Sequence, residues 1–390
     1  MNVRVDISWK SLNKFQEELC GDKVEVLKTE DSDIVILADG MGSGVKANIL
    51  ATLTSKILGT MFLEGATIEA CVETIAKTLP VCKVREVAYA TFSILQVFHN
   101  GDAYLVEFDN PECVFIRNKE IVRYPYKERV IEGKNIREYR FKVQLNDCFV
   151  LMSDGVIYAG VGELLNFGWT WDSMAEYTLK CTKQTFSSSR LAVMLTQACN
   201  DLYGEKPGDD TTVAVTRVIE RKQVNIFTGP PTHKEDDERA VHDFMRKEGK
   251  KVVCGGTSAN IVARVLHKEI VTSLEYADPK VPPMASIDGL DLVTEGVLTI
   301  GRALKLLKRY EKDEFDEAFF DELDADNGAS RLARLLIEEC TDINLFVGQA
   351  LNTAHLNSNL PVDLSVRMNL VDQLKECTEH LGKKVNIKYY

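Results

Sequence analysis

The chain has 390 residues, room for two domains at roughly 150 residues each. With 45% hydrophobic and 27% charged residues it is too apolar for a disordered chain and too charged for a membrane protein. Lys+Arg 47 against Asp+Glu 59 leaves a formal charge of −12, which argues against nucleic acid as the main partner. Residues 1–40 read as three strands, around Val3/Val5/Ile7, Val24/Val26 and 34–37. The first ten residues alternate like a strand and lack the apolar run of a leader. Past Gly42-Ser-Gly44 the period becomes helical. Val45, Ile49, Leu50, Leu53, Ile57, Leu58 and Met61 form one apolar stripe, expected to be buried. Gly65 ends that helix, and a second begins at Ala66 or Thr67 and ends at Pro80.

Strand text returns at 91–98, 103–108, 113–117 and 139–143, with His99-Asn-Gly-Asp102 as a hairpin turn and a solvent-exposed His99. Residues 148–153 form an apolar strand that stops at Asp154-Gly155. Helices follow at 171–182 and 190–203, and 211–219 alternates as a strand. The polar stretch 220–223 is the expected boundary, giving domains 1–220 and 221–390. The second reads strand, helix, strand, helix, a parallel arrangement typical of a smaller α/β domain. The ten cysteines show no C-x-x-C and lie mostly in apolar runs, so reduced thiols in a cytoplasmic protein are expected, without disulfides or zinc. No apolar run approaches the ~20 residues that span a bilayer, so no membrane role is expected.

Three acidic points share one local design. Asp39 follows an apolar strand and precedes Gly40, Asp154 follows one and precedes Gly155, and Asp209-Asp210 immediately precedes one. A strand is a rigid platform for the carboxylate at its end, and glycine after it lets the backbone approach a ligand. Carboxylates that converge repel one another unless a cation is bound. Hard divalent ions with oxygen ligands, Mg²⁺ or Mn²⁺, answer that need, and a pair of them activates water beside a phosphoryl group.

The strings Ile36-Leu-Ala-Asp-Gly-Met-Gly-Ser-Gly44, Met152-Ser-Asp-Gly-Val156 and Gly208-Asp-Asp-Thr-Thr-Val213, with Cys20-Gly-Asp22 upstream, resemble the metal-dependent PPM-type Ser/Thr phosphatases. Within them the chain is most similar to the SpoIIE-like branch, over residues 1–220, and nothing familiar stands in 221–390. The resemblance implies an α+β fold: a sandwich of two antiparallel sheets flanked by helices, followed here by the smaller α/β domain. It implies two or more Mn²⁺ or Mg²⁺ between the sheets, with Asp39 bridging them and Gly40 lending its carbonyl. Asp154 and Asp209 would hold the other ion, and the three acids would act in catalysis through the metals. Either Asp209 or Asp210 fits the last ligand position, Asp209 being favoured. Asp22 supports a ligand from behind or binds through water.

The implied reaction is hydrolysis of phosphoserine or phosphothreonine by a metal-bridging hydroxide, without a phosphoenzyme. No cysteine begins a C-x-x-x-x-x-R signature and the six histidines form no cluster, in keeping with that. The family's phosphate-binding arginine has no clear match, Arg4 being a poor one. The resemblance also implies a phosphorylated protein substrate, such as a small anti-sigma-factor antagonist in bacterial signalling, and a regulatory role for the helices at 43–80. Those helices could equally form a homodimer contact or pack within one chain. The alternatives are a catalytically weak signalling or binding module and a small-molecule phosphohydrolase. Gly42-Ser-Gly44 reads as an anion loop or as a turn with Ser43 capping the helix. Gly229-Pro-Pro231 and Gly255-Gly-Thr-Ser258 follow parallel strands, the second with a cap at Thr257 or Ser258. They are turns, or the site of a regulatory ligand or partner for the C-terminal domain.

Overall fold

The computed structural model describes residues 3–79, 90–162, 164–272, 284–350 and 362–390; the expected helix end at Pro80 lies outside them. The chain divides into two compact units, Met1–Glu220 and Arg221–Tyr390. In the first, β1 (Val3–Leu12), β2 (Asp22–Lys28) and β3 (Ser32–Gly40) lead into α1 (Gly44–Leu63) and α2 (Ile68–Thr78). Six strands follow: β4 (Ala90–Phe98), β5 (Asp102–Phe108), β6 (Val114–Arg117), β7 (Glu120–Ile121), β8 (Lys127–Ile131) and β9 (Lys134–Lys142). Then come β10 (Cys148–Met152), α3 (Asp154–Ile157), α4 (Trp171–Cys181), α5 (Ser188–Leu202) and β11 (Thr211–Glu220).

These strands make two antiparallel sheets, β1-β11-β10-β6-β7 and β2-β3-β4-β5-β9-β8. Their facing sides share one core. Val35, Leu37, Leu95 and Leu105 of the larger sheet pack with Val5, Phe149, Leu151 and Ala214 of the smaller. The alternate residues of β3, Ile34, Ile36 and Ala38, point the other way, into a second core under α1 and α2. That double burial is why β3 reads as an unbroken apolar run. The outer face of the smaller sheet packs on α4 and α5 through Val150, Met174, Leu191 and Leu195. The layers are helix, sheet, sheet, helix, the expected sandwich.

Helix α1 departs from expectation in which face it buries. Val45, Ile49 and Leu53 are 61%, 52% and 43% exposed, while Ala47, Ala51, Ser55, Leu58, Gly59 and Phe62 are buried. The reason is close approach to the sheet. Ala47, Ala51, Ser55 and Gly59 recur every four residues as a ridge of small side chains. A methyl group on Gly59 would stand 2.7 Å from Leu27, and one on Gly40 only 2.0 Å from the Ala47 carbonyl oxygen. The helix therefore turns its narrow face to β3 and Val45, Ile49 and Leu53 outward, while Leu58 of the expected stripe is buried and Ile57 and Met61 pack against the core. Ser43 does not cap α1 with its side chain; its Oγ donates instead to Glu17 Oε1 at 3.1 Å. The hairpin at 99–102 forms as expected, with Val97 opposite Ala103. His99 is not free in solvent, because its ring nitrogens meet Asp33 Oδ2 and the Glu30 carbonyl, each at 3.1 Å. Sequence reading missed β8, which returns to β9 through Glu132-Gly133, both at positive φ.

In the second unit, β12 (Gln223–Thr228), α6 (Asp237–Arg246), β13 (Lys250–Cys254) and α7 (Gly256–Leu266) come first. The short β14 (Val271–Thr272) and β15 (Ala285–Ser286) precede β16 (Leu292–Thr294), α8 (Val297–Glu311), α9 (Glu317–Asp324) and α10 (Gly328–Glu338). The unit ends with β17 (Asp342–Val347), α11 (Val362–His380) and β18 (Lys384–Tyr389). The parallel strands lie in the order β16-β13-β12-β17-β18, winding outward in both directions from β12. Asn225, Asn344 and Asn386 stand opposite one another on β12, β17 and β18. Their side-chain amides are linked at 2.9 and 3.2 Å. Gly255 occupies the N-cap of α7 without a side-chain cap, and Ser258 Oγ accepts the Gly229 amide at 2.8 Å, so neither Thr257 nor Ser258 caps that helix. The nine cysteines among the described residues are free thiols. No helix among the described residues is long and apolar enough to cross a membrane.

Candidate metal centre

The acidic points meet at one end of the sandwich. Asp22 opens β2 directly opposite Asp39 near the end of β3, and the Gly40 amide donates to the Gly21 carbonyl at 3.0 Å. On the smaller sheet β10 and β11 run antiparallel, which brings Asp154, just past β10, beside Asp209-Asp210, just before β11. Ser153 ties the two sheets together. Its Oγ donates to Asp22 Oδ2 at 2.7 Å and accepts the Thr212 amide at 2.9 Å.

Asp209 and Asp210 play different parts. Asp210 is buried, and its Oδ1 accepts the Lys14 amide at 3.0 Å. Asp209 is partly open; its Oδ1 accepts the Asp210 amide at 3.0 Å and stands 3.8 Å from the Lys14 ammonium. Asp210 therefore anchors the β1–β2 loop, leaving Asp209 the freer carboxylate. Gly40 and Gly155 follow their aspartates for reasons of packing. Gly40 faces the Ala47 carbonyl, and a methyl group on Gly155 would stand 2.2 Å from the Asp210 carbonyl oxygen.

Burial is the main cause that raises the Asp39 carboxyl above its ordinary range, followed by the charges of Asp22, Asp154, Asp209 and Asp210. Burial likewise raises Asp22, partly offset by hydrogen bonds from Ser153 and Thr212 and reinforced by Asp210 and Asp154. Asp154 is raised by burial and then by Asp209. Asp210 is raised by burial against the pull of the Lys14 and Gly21 amides. The five acids thus lie within electrostatic reach of one another. Among the described residues no three acidic, histidine or cysteine side chains close into a ligand set, as expected of like charges with nothing positive between them.

Do these residues fit divalent metal? Asp22 Oδ1 and Asp210 Oδ2 are buried without a hydrogen-bond partner, and a buried carboxylate oxygen left unpaired is costly. All donors are hard oxygens, the chemistry that Mg²⁺ and Mn²⁺ prefer. The donor set fits. Sequence reading missed Lys14 and Ser153. Ser153 stood inside the Met152-Ser-Asp-Gly string, whereas nothing in the sequence around Lys14 marks it.

The family model for Stage II sporulation protein E (SpoIIE) matches residues 29–219. No curated protein matches the chain. Among solved structures, the chain is similar to the PP2C phosphatase domain with a fragment of the regulatory domain of SpoIIE from Bacillus subtilis. The identity is 16% over 56% of this chain and 62% of that one, with a TM-score of 0.47. It therefore spans less than two thirds of that structure. The RsbU and RsbW domains of Rv1364c from Mycobacterium tuberculosis are also 16% identical, over 62% of this chain and 67% of theirs, with a TM-score of 0.47. The catalytic domain of the serine threonine protein phosphatase PstP, in complex with manganese ions, is 13% identical over 56% of this chain and 99% of its own, with a TM-score of 0.38. By the family model, residues 29–219 of this chain are a SpoIIE domain, of the PPM phosphatase type.

Proposed function

We propose that the first unit is a Mn²⁺- or Mg²⁺-dependent phosphatase for phosphoserine or phosphothreonine in a small regulatory protein of the bacterial cytoplasm. The observation that carries this reading is the convergence of five aspartates at one end of the sandwich, two of them with buried oxygens that have no hydrogen-bond partner. Asp39, Asp154 and Asp209, with the Gly40 carbonyl, would hold the ions. When bound, a pair of such ions supplies an activated water and neutralises charge on the phosphoryl oxygens. The protein's own share is placement. Ser153 orients Asp22, and Asp210 fixes the loop that carries Lys14. The Lys14 ammonium, beside Asp209, takes the phosphoryl oxygens and fills the role for which the sequence offered only Arg4.

A protein substrate is favoured over a metabolite by the loop that follows α3. Tyr158, Val161, Leu164 and Phe167 are all exposed there, Phe167 at 85%. The Thr170 amide holds the base of that loop to the Ile157 carbonyl at 3.1 Å. Several exposed apolar side chains in one loop that follows Asp154 in the chain suit contact with a protein surface. The substrate is of the anti-sigma-factor-antagonist kind in this reading, and the second unit regulates the first.

The test is hydrolysis of an aryl phosphate by the full chain with Mn²⁺ and with chelator, for wild type and Asp39→Asn. Turnover that needs the ion and disappears in the variant supports the reading. No turnover with any divalent ion, in folded protein, overturns it in favour of a binding module.

A further inference from the structure

The outer face of the larger sheet changes character toward the α1–α2 elbow. Under α1 it is apolar, as a helix-covered face should be. Further out, one cross-strand row runs Ile34, Gln96, Tyr104, Arg140 in register across β3, β4, β5 and β9. Three of these four are polar, and the helix side chains that reach the row, such as Phe62 against Tyr104, leave a space beside it. They line a cavity of about 560 Å³ between the sheet, the end of α1 and the start of α2. That volume lies in the range of small-molecule sites.

The charges in the cavity are unevenly matched. Arg129 on β8 is held by two carboxylates, Glu138 at 3.1 Å and Glu69 of α2. Glu138 also accepts the Tyr104 hydroxyl at 2.6 Å. Asp31 is exposed and takes the Thr29 hydroxyl at 2.7 Å. Arg140 lies 4.2 Å from the Tyr104 ring centroid and makes no ion pair among the described residues. Phe62, stacked on Tyr104, gives the cavity an apolar wall. Gln96, bonded to Ser32 at 3.0 Å, adds a neutral polar group to the floor. An arginine over an aromatic ring, with no ion pair among the described residues, next to an apolar wall, is a match for an acid with an apolar body.

We propose that the first unit binds a small organic anion in this cavity, with its carboxylate or phosphate group at Arg140 and its apolar body against Tyr104 and Phe62. The site is separate from the aspartates and the proposal does not rest on the phosphatase reading. Its test uses the full chain in chelator, so that the acidic centre holds no metal to attract anions. Calorimetric titrations compare naphthoate and adenosine monophosphate with their neutral counterparts, naphthamide and adenosine, and with inorganic phosphate. Saturable binding of at least one acid, about tenfold or more tighter than its neutral counterpart, is expected. The naphthoate and nucleotide arms separate a carboxylate from a phosphate headgroup. Arg140 is exposed, so Arg140→Ala folds normally and loses that preference, Arg140→Lys keeps part of it, and Asp39→Asn leaves it intact. Equal binding of acids and neutral partners, unchanged binding in Arg140→Ala, inorganic phosphate binding as tightly as either acid, or no binding at all would overturn the proposal. No turnover is measured, so failure here leaves the phosphatase reading untouched.

Discussion

Asp39→Asn should make the metal-free protein more stable, although it removes a charge from the proposed metal site. Burial and four neighbouring carboxylates hold the Asp39 carboxyl above its usual value of 3.8. A folded state that binds a proton more tightly than the unfolded chain loses stability as pH rises. The loss begins near 3.8 and grows by about 1.4 kcal/mol per pH unit until the group ionises in the folded protein. From about pH 5 to about pH 7, one such acid therefore costs up to roughly 3 kcal/mol. Asp22 moves in the same direction and adds its own slope. Urea unfolding in chelator across that range should show wild type weakening as pH rises. The asparagine variant should weaken by up to roughly 3 kcal/mol less and be the more stable protein at neutral pH. Saturating Mn²⁺ should reverse the ranking, since an ion at a hundredfold over its Kd adds about 2.7 kcal/mol to the protein that binds it. Parallel pH slopes for the two proteins, or a variant that is the less stable one in chelator at neutral pH, would refute the idea that burial and the neighbouring acids raise Asp39.

Four further expectations concern that site and helix α1 beside it. Gly40→Ala puts a methyl group 2.0 Å from the Ala47 carbonyl, so α1 must lift from β3; a loss of about 1–3 kcal/mol in unfolding free energy and a higher Mn²⁺ requirement are expected. Leu58→Ala should cost about 2–5 kcal/mol by thermal unfolding. The paired change Val45→Ser, Ile49→Ser should stay within about 1 kcal/mol, because those side chains already face outward. Lys14→Ala keeps the backbone amide on Asp210 but removes the ammonium. Steady-state kinetics on an aryl phosphate should show kcat/KM about ten- to a hundredfold lower, mainly through KM, and unchanged kinetics would remove Lys14 from the site.

Much of this site could be read from the chain because it is built on strand ends. Apolar runs that stop at Asp39 and Asp154, and one that starts after Asp210, carry their own boundaries, and each carboxylate inherits its position from the strand. Strand order brings them together, and order is a property of pairing that no single run expresses. The face of α1 was misread for a related reason. Periodicity marks the bulky apolar side chains as the inward ones, which holds for Leu58, yet contact with the sheet is close enough that Ala47, Ala51, Ser55 and Gly59 face it and Val45, Ile49 and Leu53 do not. Lys14 was invisible because its position depends on a loop clamped by a residue 196 places away. The β8–β9 hairpin did leave a trace, Glu132-Gly133, whose two positive φ angles suit a tight turn.

The asparagine ladder of the second unit has a consequence for assembly. β12, β17 and β18 are distant in sequence, and parallel strands of mostly apolar residues would pair almost equally well if shifted along one another. Asn225, Asn344 and Asn386 act as alignment keys. Slipping β17 by two residues against β12 would set the Asn225 amide opposite Asp342 or Phe346 instead of Asn344. Asn225 and Asn344 are buried and Asn386 is exposed, so the cost falls on the bond between β12 and β17. Losing the Asn344 amide from the Asn225 oxygen costs about 1–3 kcal/mol, a sizeable part of a domain's total stability. The buried Asn225–Asn344 pair thus rejects misaligned sheets that hydrophobic burial alone would tolerate.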